Sequence, residues 1–317
     1  MKKILVIGGS VFVSKSIAEY FVAHGYNVFV LNRGTKKNAE GTIFLKADRN
    51  DPRAFMKAIG NHDFDLVIDV CAYLPTQTKI AVDVLKDRTA HFIHISSAAV
   101  YDNIKTYPIH ENNERGGASI WGEYGRNKYL CEEELLREWN ISKFPITLLR
   151  PFYIYGPGNN LERESYIFER IINNKPIIVP GMGRPIIQFG YIDDLSDCIL
   201  KIGNQEKSFG QAYNISGKEY VTFIEWINLC ANVVSMEAEI YCTECELVGY
   251  DARKWFPFRD VHLFGSCEKL DRDFGIVPSY TLHQGLERTW KSYEPDFGKC
   301  FAQNDVEIDI LSKCKTW

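Results

Sequence analysis

The sequence predicts an α/β fold, a doubly wound parallel sheet followed by a smaller C-terminal lobe. Three observations carry this expectation. Short apolar runs alternate with helix-length stretches through residue 158, the first run ends in a glycine turn, and beyond residue 158 the alternation gives way to proline, glycine and aromatic residues.

The elements follow in order. "KKILVIGG" is a continuous apolar run ending in glycine, as a parallel strand buried on both faces requires. "SKSIAEYFVAHGY" places Ile17, Tyr20, Phe21 and His24 at helical spacing, with Gly25 as the stop signal. "NVFVLNRG" reads as the second strand and "GTIFLKADRND" as the third. "PRAFMKAIGNH" is a helix with Pro52 in its first turn. "FDLVIDVCAY" and "TAHFIHISSAAVY" are further strands on either side of the helix-like "TQTKIAVDVLKD". A long helix, "GEYGRNKYLCEEELLREW", and a strand running into a loop, "FPITLLRPFYIYGPG", complete the alternation. Right-handed βαβ units are the expected connection. The expected division is a dinucleotide-type domain over 1–158, with segments around 186–215 returning to it, a substrate-binding lobe over 159–297, and a tail over 298–317.

Composition is that of a globular protein. Of 317 residues, 45% are hydrophobic and 25% charged, enough for one large core or a core plus a lobe. A net charge of -4 gives no global basic field to draw nucleic acid or anionic lipid. Nine cysteines, an odd number spread through apolar and helical stretches, read as reduced thiols in a cytoplasmic protein. Cys242 and Cys245 form one C-x-x-C without a second pair, and His91 and His94 alternate along a strand, so no metal site is expected. The opening "MKKILVIGGSVFV" resembles a short signal peptide, yet it has no small-residue cleavage site and breaks at a glycine turn; a buried first strand explains it better. No run approaches the roughly 18 apolar residues of a membrane span.

Gly8-Gly9-Ser10 after the first strand places free backbone N–H groups and a helix N-terminus where a pyrophosphate can sit. The second strand ends in Asn32-Arg33, with Lys36 and Lys37 behind. An acid there would bind the ribose of NAD, whereas an arginine accommodates the extra phosphate of NADP, so the expectation leans to NADP(H) over NAD(H).

The motifs "GGSVFVS", "ADRND", "ISSAAVY", "YGRNK", "LRPFYIYGPG", "GYIDDL", "AYNISG" and "LDRDFGIVPSYTLHQGLERT", in that order, resemble the extended short-chain dehydrogenase/reductases, the NAD-dependent epimerase/dehydratase family. The similarity runs from residue 3 to about 292. With "NRG" and "DRNDP", it points to an atypical branch that includes the chloroplast stem-loop-binding proteins. The resemblance implies a Rossmann-type fold and a catalytic set of Ser97, Tyr124 and Lys128. It implies cofactor contacts from Gly8, Ser10, Phe12 and Val13 at the pyrophosphate, Asn32 and Arg33 at the ribose, and Asp48 and Arg49 at the adenine. Cys71, Ala72, Tyr124, Lys128, Pro151 and Tyr153 would lie toward the nicotinamide end.

Departures from the family pattern are specific. Val11 and Ser14 replace glycines; a β-branched Val11 resists positive φ, so the loop must alter locally, while Ser14 is small enough to keep the helix close. Ala98-Ala99 replaces the Asp-Glu pair of the 4,6-dehydratases, which argues against ordinary dehydration. Tyr153 stands where the nucleotide-sugar enzymes carry asparagine and Ile187 near their arginine. Arg184 and Arg259 are the candidates to substitute, with Tyr73, Trp121 and Phe152 lining the substrate pocket.

Tyr124 and Lys128, four apart on a helix, share one face. A phenol titrates near 10 in water, and a nearby ammonium stabilises its anion. With Ser97 as hydrogen-bond donor, the set moves a proton at a hydroxyl while hydride moves at a nicotinamide. The expected function is an NAD(P)-dependent epimerase or reductase acting on a sugar or nucleotide-sugar. Two alternatives stay open: an RNA-binding or processing factor on the same fold, disfavoured by the net charge, and a dinucleotide sensor. The resemblance also implies a homodimer packed through the helix bearing Tyr124, where Cys131, Leu135 and Leu136 serve a dimer face or the chain's own core.

Overall fold

The computed structural model describes residues 2–117, 119–293 and 304–314. The chain divides into two compact units. The first comprises residues 1–154, 192–216 and 265–279, and the second 155–191, 217–264 and 280–317. The return to the first unit therefore begins at 192 rather than 186, and a second return over 265–279 has no counterpart in the expected division. Residues 298–303 and 315–317 of the expected tail lie outside the described residues; 304–314 carry a helix.

The first unit opens with β1 (Lys3–Ile7), α1 (Phe12–Ala23), β2 (Asn27–Asn32), β3 (Ile43–Lys46), α2 (Pro52–Ile59), β4 (Leu66–Asp69), α3 (Pro75–Leu85) and β5 (Phe92–Ile95). It continues with α4 (Gly122–Ser142), β6 (Ile146–Pro151) and the short β7 (Tyr153–Tyr155), which reaches the boundary. The second unit contributes α5 (Glu164–Ile172), β8 (Ile177–Pro180) and β9 (Ile186–Tyr191). α6 (Ile192–Ile202) and β10 (Gln211–Ile215) belong to the first unit. β11 (Tyr220–Thr222), α7 (Phe223–Val234), β12 (Ile240–Thr243) and α8 (Cys245–Val248) return to the second. α9 (Glu268–Phe274) is the second return to the first, and α10 (Leu282–Lys291) and α11 (Asp305–Cys314) end the second.

The central sheet has seven strands in the order β10-β6-β5-β4-β1-β2-β3, and every pairing is parallel. β1, β4, β5 and β6 are buried along nearly their whole length, which is why each reads as an uninterrupted apolar run. Strand order reverses between β1 and β4, so the carboxyl ends of these two strands form a topological switch point. In the second unit β9 and β11 pair antiparallel and β8 and β12 pair parallel.

Helix α4 is fixed to the sheet by charge as well as by apolar packing. Its buried stripe holds Lys128, Cys131, Glu132 and Leu135, at the i, i+3, i+4, i+7 spacing of one helix face. Cys131 and Leu135 are wholly buried and Leu136 packs against the core, so these residues are spent on the chain's own interior. Glu132 Oε1 accepts from Arg150 Nε (2.9 Å) on β6 and from Ser96 Oγ (2.6 Å), just past β5. Its Oε2 accepts from Arg150 (2.8 Å) and Arg115 (2.8 Å). Burial alone would push the Glu132 carboxyl up; Arg150, Ser96 and Arg115 outweigh it and hold it below the usual carboxylate range. Tyr101 and Asn214 extend the network, the Tyr101 hydroxyl donating to Asn214 Oδ1 at 2.5 Å.

Removing one partner of such a pair strands the other charge in the interior. Glu132→Ala is expected to lower the unfolding free energy by about 3–5 kcal/mol, read as a lower urea midpoint.

Candidate functional site

The turn after β1 is built by sterics. Gly8 and Gly9 have φ of 127° and 87°, values that side chains rarely adopt. A Cβ on Gly9 would come within 2.4 Å of Val30, and one on Gly8 within 2.8 Å of Ser14 Cβ. Ser14 therefore fits against Gly8 as a small residue should, and its hydroxyl donates to Val11 O at 2.9 Å. Val11 stays extended (φ -141°) as the N-cap of α1 and supplies no side-chain cap. The positive φ falls instead on Phe12, at 28°. Ser10 and Val13 sit half-buried on this turn and Phe12 is buried. The arrangement fits a dinucleotide pyrophosphate: backbone N–H groups at an uncapped helix start, with no room for a Cβ at the glycines.

Asn32 fastens the turn, its Nδ2 donating to Gly8 O (2.6 Å) and to Asn38 Oδ1 (2.8 Å). Arg33 beside it is exposed. Asp48 is half-buried and its Oδ1 accepts from Asn50 N and Nδ2, contacts that hold its carboxyl low.

Arg49, expected near the adenine, makes a buried two-pronged ion pair with Asp69 at 2.7 and 2.9 Å. It also donates to Cys71 Sγ (3.3 Å) and Gln77 O (3.3 Å). Asp69 ends β4 at the switch point. Burial would push its carboxyl up, and Arg49 more than reverses this. Cys71 is half-buried beside Gly8, and burial pushes its thiol up; Ala72 is buried.

Beyond β5, Ser97 remains extended (φ -163°, ψ 151°), and its Oγ accepts from Ala99 N at 3.1 Å, starting a short 3-10 turn. α4 lies against this turn. A Cβ on Gly125 would meet Ala99 O at 2.6 Å, so glycine between Tyr124 and Lys128 permits the close approach. Lys128 is 2% exposed, and its Nζ donates to Ile95 O at 2.8 Å. The same ammonium lies 5.2 Å from the centre of the Tyr73 ring, and Tyr73 packs 6.5 Å from the Tyr124 ring. Tyr124 itself is 46% exposed. Solvent-facing phenol and buried ammonium thus come from one helix.

Tyr73, Ser97, Tyr124, Lys128 and the Arg49–Asp69–Cys71 group all belong to the first unit. Trp121 stands at the N-cap of α4. Phe152 is buried against Gly265, Pro151 closes β6, and Tyr153 is buried in β7. Arg184 and Arg259 belong to the second unit, where Arg184 is exposed and ion-paired with Glu244. Ile187 is fully buried in β9. No group of three or more metal-ligating side chains occurs among the described residues; His91 and His94 are both buried in the core.

Sequence reasoning missed Asp69 and Glu132, though both carry a readable signal: an acid ending the apolar run "LVID", and a glutamate on the apolar stripe of α4. His94 lies in β5, where burial drives its imidazole down to about 3, so the ring is neutral.

The model of the NAD dependent epimerase/dehydratase family matches residues 4–216. The chain is 31% identical to the chloroplast stem-loop binding protein of 41 kDa b of Arabidopsis thaliana, over 98% of this chain and 85% of that one. It is 24% identical to dTDP-L-rhamnose 4-epimerase of Burkholderia thailandensis, over 93% and 96%. In fold it is similar to dTDP-glucose 4,6-dehydratase of Bacillus anthracis, solved with NAD. That match has a TM-score of 0.80 and 18% identity, and covers 94% of this chain and 98% of that one. The UDP-glucose 4-epimerase of Thermotoga maritima, solved with UDP-glucose, matches with a TM-score of 0.79 and 18% identity over 92% and 98%.

The lowered Asp69 carboxyl makes a pH prediction. Because folding depresses its pKa, its contribution is complete above the unfolded value of about 3.9 and is lost as pH falls through the lower folded value. The stability gap between wild type and Asp69→Asn should stay level from pH 7 to about pH 5 and shrink below about pH 4, in urea midpoints taken across that range.

Proposed function

Since the chain belongs to the NAD dependent epimerase/dehydratase family, we propose that it is an NAD(P)-dependent epimerase or reductase acting at a hydroxyl or ketone of a sugar or nucleotide-sugar. The observation that carries this reading is the placement of Lys128. Its ammonium is buried on Ile95 O, two residues before Ser97, on the helix that presents Tyr124 to solvent. Gly8, Gly9 and the start of α1 would hold the pyrophosphate, and Lys128 the ribose hydroxyls. When bound, the nicotinamide supplies a reversible hydride acceptor.

The chain's own residues handle the proton. Ser97 Oγ donates a hydrogen bond to the substrate oxygen. The Tyr124 oxygen takes the carbinol proton as phenolate in oxidation and returns it as phenol in reduction. Elimination of water is not part of this reading, because buried Ala98 and Ala99 supply neither acid nor base next to Ser97. Within the cofactor class, exposed Arg33 beside a non-acidic Asn32 favours NADP(H) over NAD(H).

The 31% identity to a stem-loop-binding protein favours one second reading, RNA binding on the same fold. The two separate by experiment. Purified protein, once denatured, should release dinucleotide. Tyr124→Phe should lower turnover of a nucleotide-sugar or free-sugar substrate by about 10²–10⁴-fold while keeping the dinucleotide. Absence of dinucleotide binding, or full turnover in Tyr124→Phe, would sink the enzyme reading. RNA affinity that falls steeply with salt and ignores Tyr124 would support the second.

The cofactor preference has its own measurement. Titration with NADPH and NADH should favour NADPH, and Arg33→Ala should reduce that preference about tenfold, the effect of losing a contact worth roughly 1.4 kcal/mol.

A further inference from the structure

Lys128 carries its ammonium on a flexible stem, and one hydrogen bond, to Ile95 O at 2.8 Å, leaves the group free to swing about that contact. The side chain that lies over it is Tyr73. The ammonium is 5.2 Å from the centre of the Tyr73 ring, within cation–π range. Lys128 is 2% exposed whereas Tyr73 is 54% exposed, so the ring forms the outer layer and the ammonium the inner one. The same ring lies 6.5 Å from the Tyr124 ring, inclined at 42°, a separation at which aromatic pairs attract. One aromatic side chain thus meets both members of the candidate proton-transfer pair.

The backbone under Tyr73 is fastened. Pro75 opens α3 and confines Leu74 before it to extended backbone, φ -135° and ψ 142°. Gln77, buried in the first turn of α3, accepts at Oε1 from Tyr73 N (2.8 Å) and Leu74 N (3.2 Å). Its Nε2 donates to Asn50 Oδ1 at 2.9 Å, and its carbonyl accepts from Arg49 at 3.3 Å. The segment is therefore tied to the same buried group that holds Asp69. Hydrophobic burial does not account for the position of a ring that is more than half exposed; its contacts with Lys128 and Tyr124 do.

We propose that Tyr73 is a positioning residue of the candidate site: its ring pins the Lys128 ammonium on Ile95 O and backs the Tyr124 ring, so that phenol and ammonium keep a fixed separation. The face of the ring supplies the contact, and the Tyr73 hydroxyl is dispensable. Tyr73 acts through Lys128 and Tyr124 rather than as a wall for the substrate. Misplacing a reacting group by a small distance lowers the rate of the chemical step without weakening substrate binding. That consequence for turnover rests on the epimerase or reductase reading; the placement of Lys128 does not.

The test is acylation of the full chain by acetic anhydride, with labelling of Lys128 read by peptide mass spectrometry against exposed Lys79 of the same chain. Lys128 should label slowly in wild type and in Tyr73→Phe, and about tenfold faster in Tyr73→Ala, the scale of a desolvated cation–π contact. Tyr73→Leu, which keeps apolar bulk without a ring face, should also label faster than Tyr73→Phe. Truncating a side chain that is more than half exposed leaves the core in place. In turnover, Tyr73→Ala should lower kcat about tenfold at a KM close to wild type, and Tyr73→Phe should keep both. Labelling that Tyr73→Ala leaves unaltered, labelling in Tyr73→Leu no faster than in Tyr73→Phe, Tyr73→Phe as impaired as Tyr73→Ala, or an effect confined to KM each overturn the proposal. Faster labelling in Tyr73→Ala together with absent dinucleotide binding supports the placement of Lys128 and counts against the enzyme reading alone.

Discussion

The buried pair of Glu132 and Arg150 is the constraint on which the placement of α4 and its Lys128 depends. Glu132 collects donors from Arg150 on β6, from Ser96 at the end of β5 and from Arg115. One carboxylate thus ties α4 to two adjacent strands. Apolar residues of similar volume would pack α4 with comparable stability. They would not specify its register, because hydrophobic contact is not directional. A carboxylate that must meet four donors fixes both the height and the rotation of the helix. Lys128 lies one turn away on the same face, so the register that satisfies Glu132 also places the ammonium on Ile95 O.

Ser96 and Ser97 show how this fastening and the candidate site share one strand end. The backbone is still extended at Ser97, so successive side chains point to opposite sides. Ser96 turns inward to Glu132, and Ser97 is left for the site. Gly125 completes the arrangement, since any side chain there would lift α4 from Ala99 O. Arg49 and Asp69 form a second buried pair at the switch point between β1 and β4, near enough to Lys128 for the ammonium to favour the carboxylate. Lys128, Asp69 and neutral His94 are buried close enough for their charges to act on one another.

The layered architecture was legible because parallel strands buried on both faces cannot alternate with polar residues and must read as apolar runs. The glycine turn was legible for steric reasons, although its details were not. Val11 avoids strain by remaining extended, and Phe12 carries the positive φ. The second return over 265–279 was not legible. It contributes no strand to the central sheet, only the short α9 with buried Leu270 and the neighbouring Ile276, too few positions to set a period. Ser97, Tyr124 and Lys128 were singled out by ordered motifs, whereas Asp69 ends an apolar strand run and Glu132 stands among the glutamates of α4, with no motif to mark either.

The sequence by itself determined the order and type of the elements, the tight glycine turn and the residue types available for proton transfer. Those properties follow from local sterics and from the periodicity of burial, both written along the chain. Only the tertiary structure decided that Arg49 is paired with Asp69, that Arg184 is held by Glu244, and that Cys131 and Leu135 belong to the core. It also brought Glu307 to Arg170 across 137 positions of chain. Which charge meets which depends on distances closed by folding, and spacing along a sequence carries no measure of those distances.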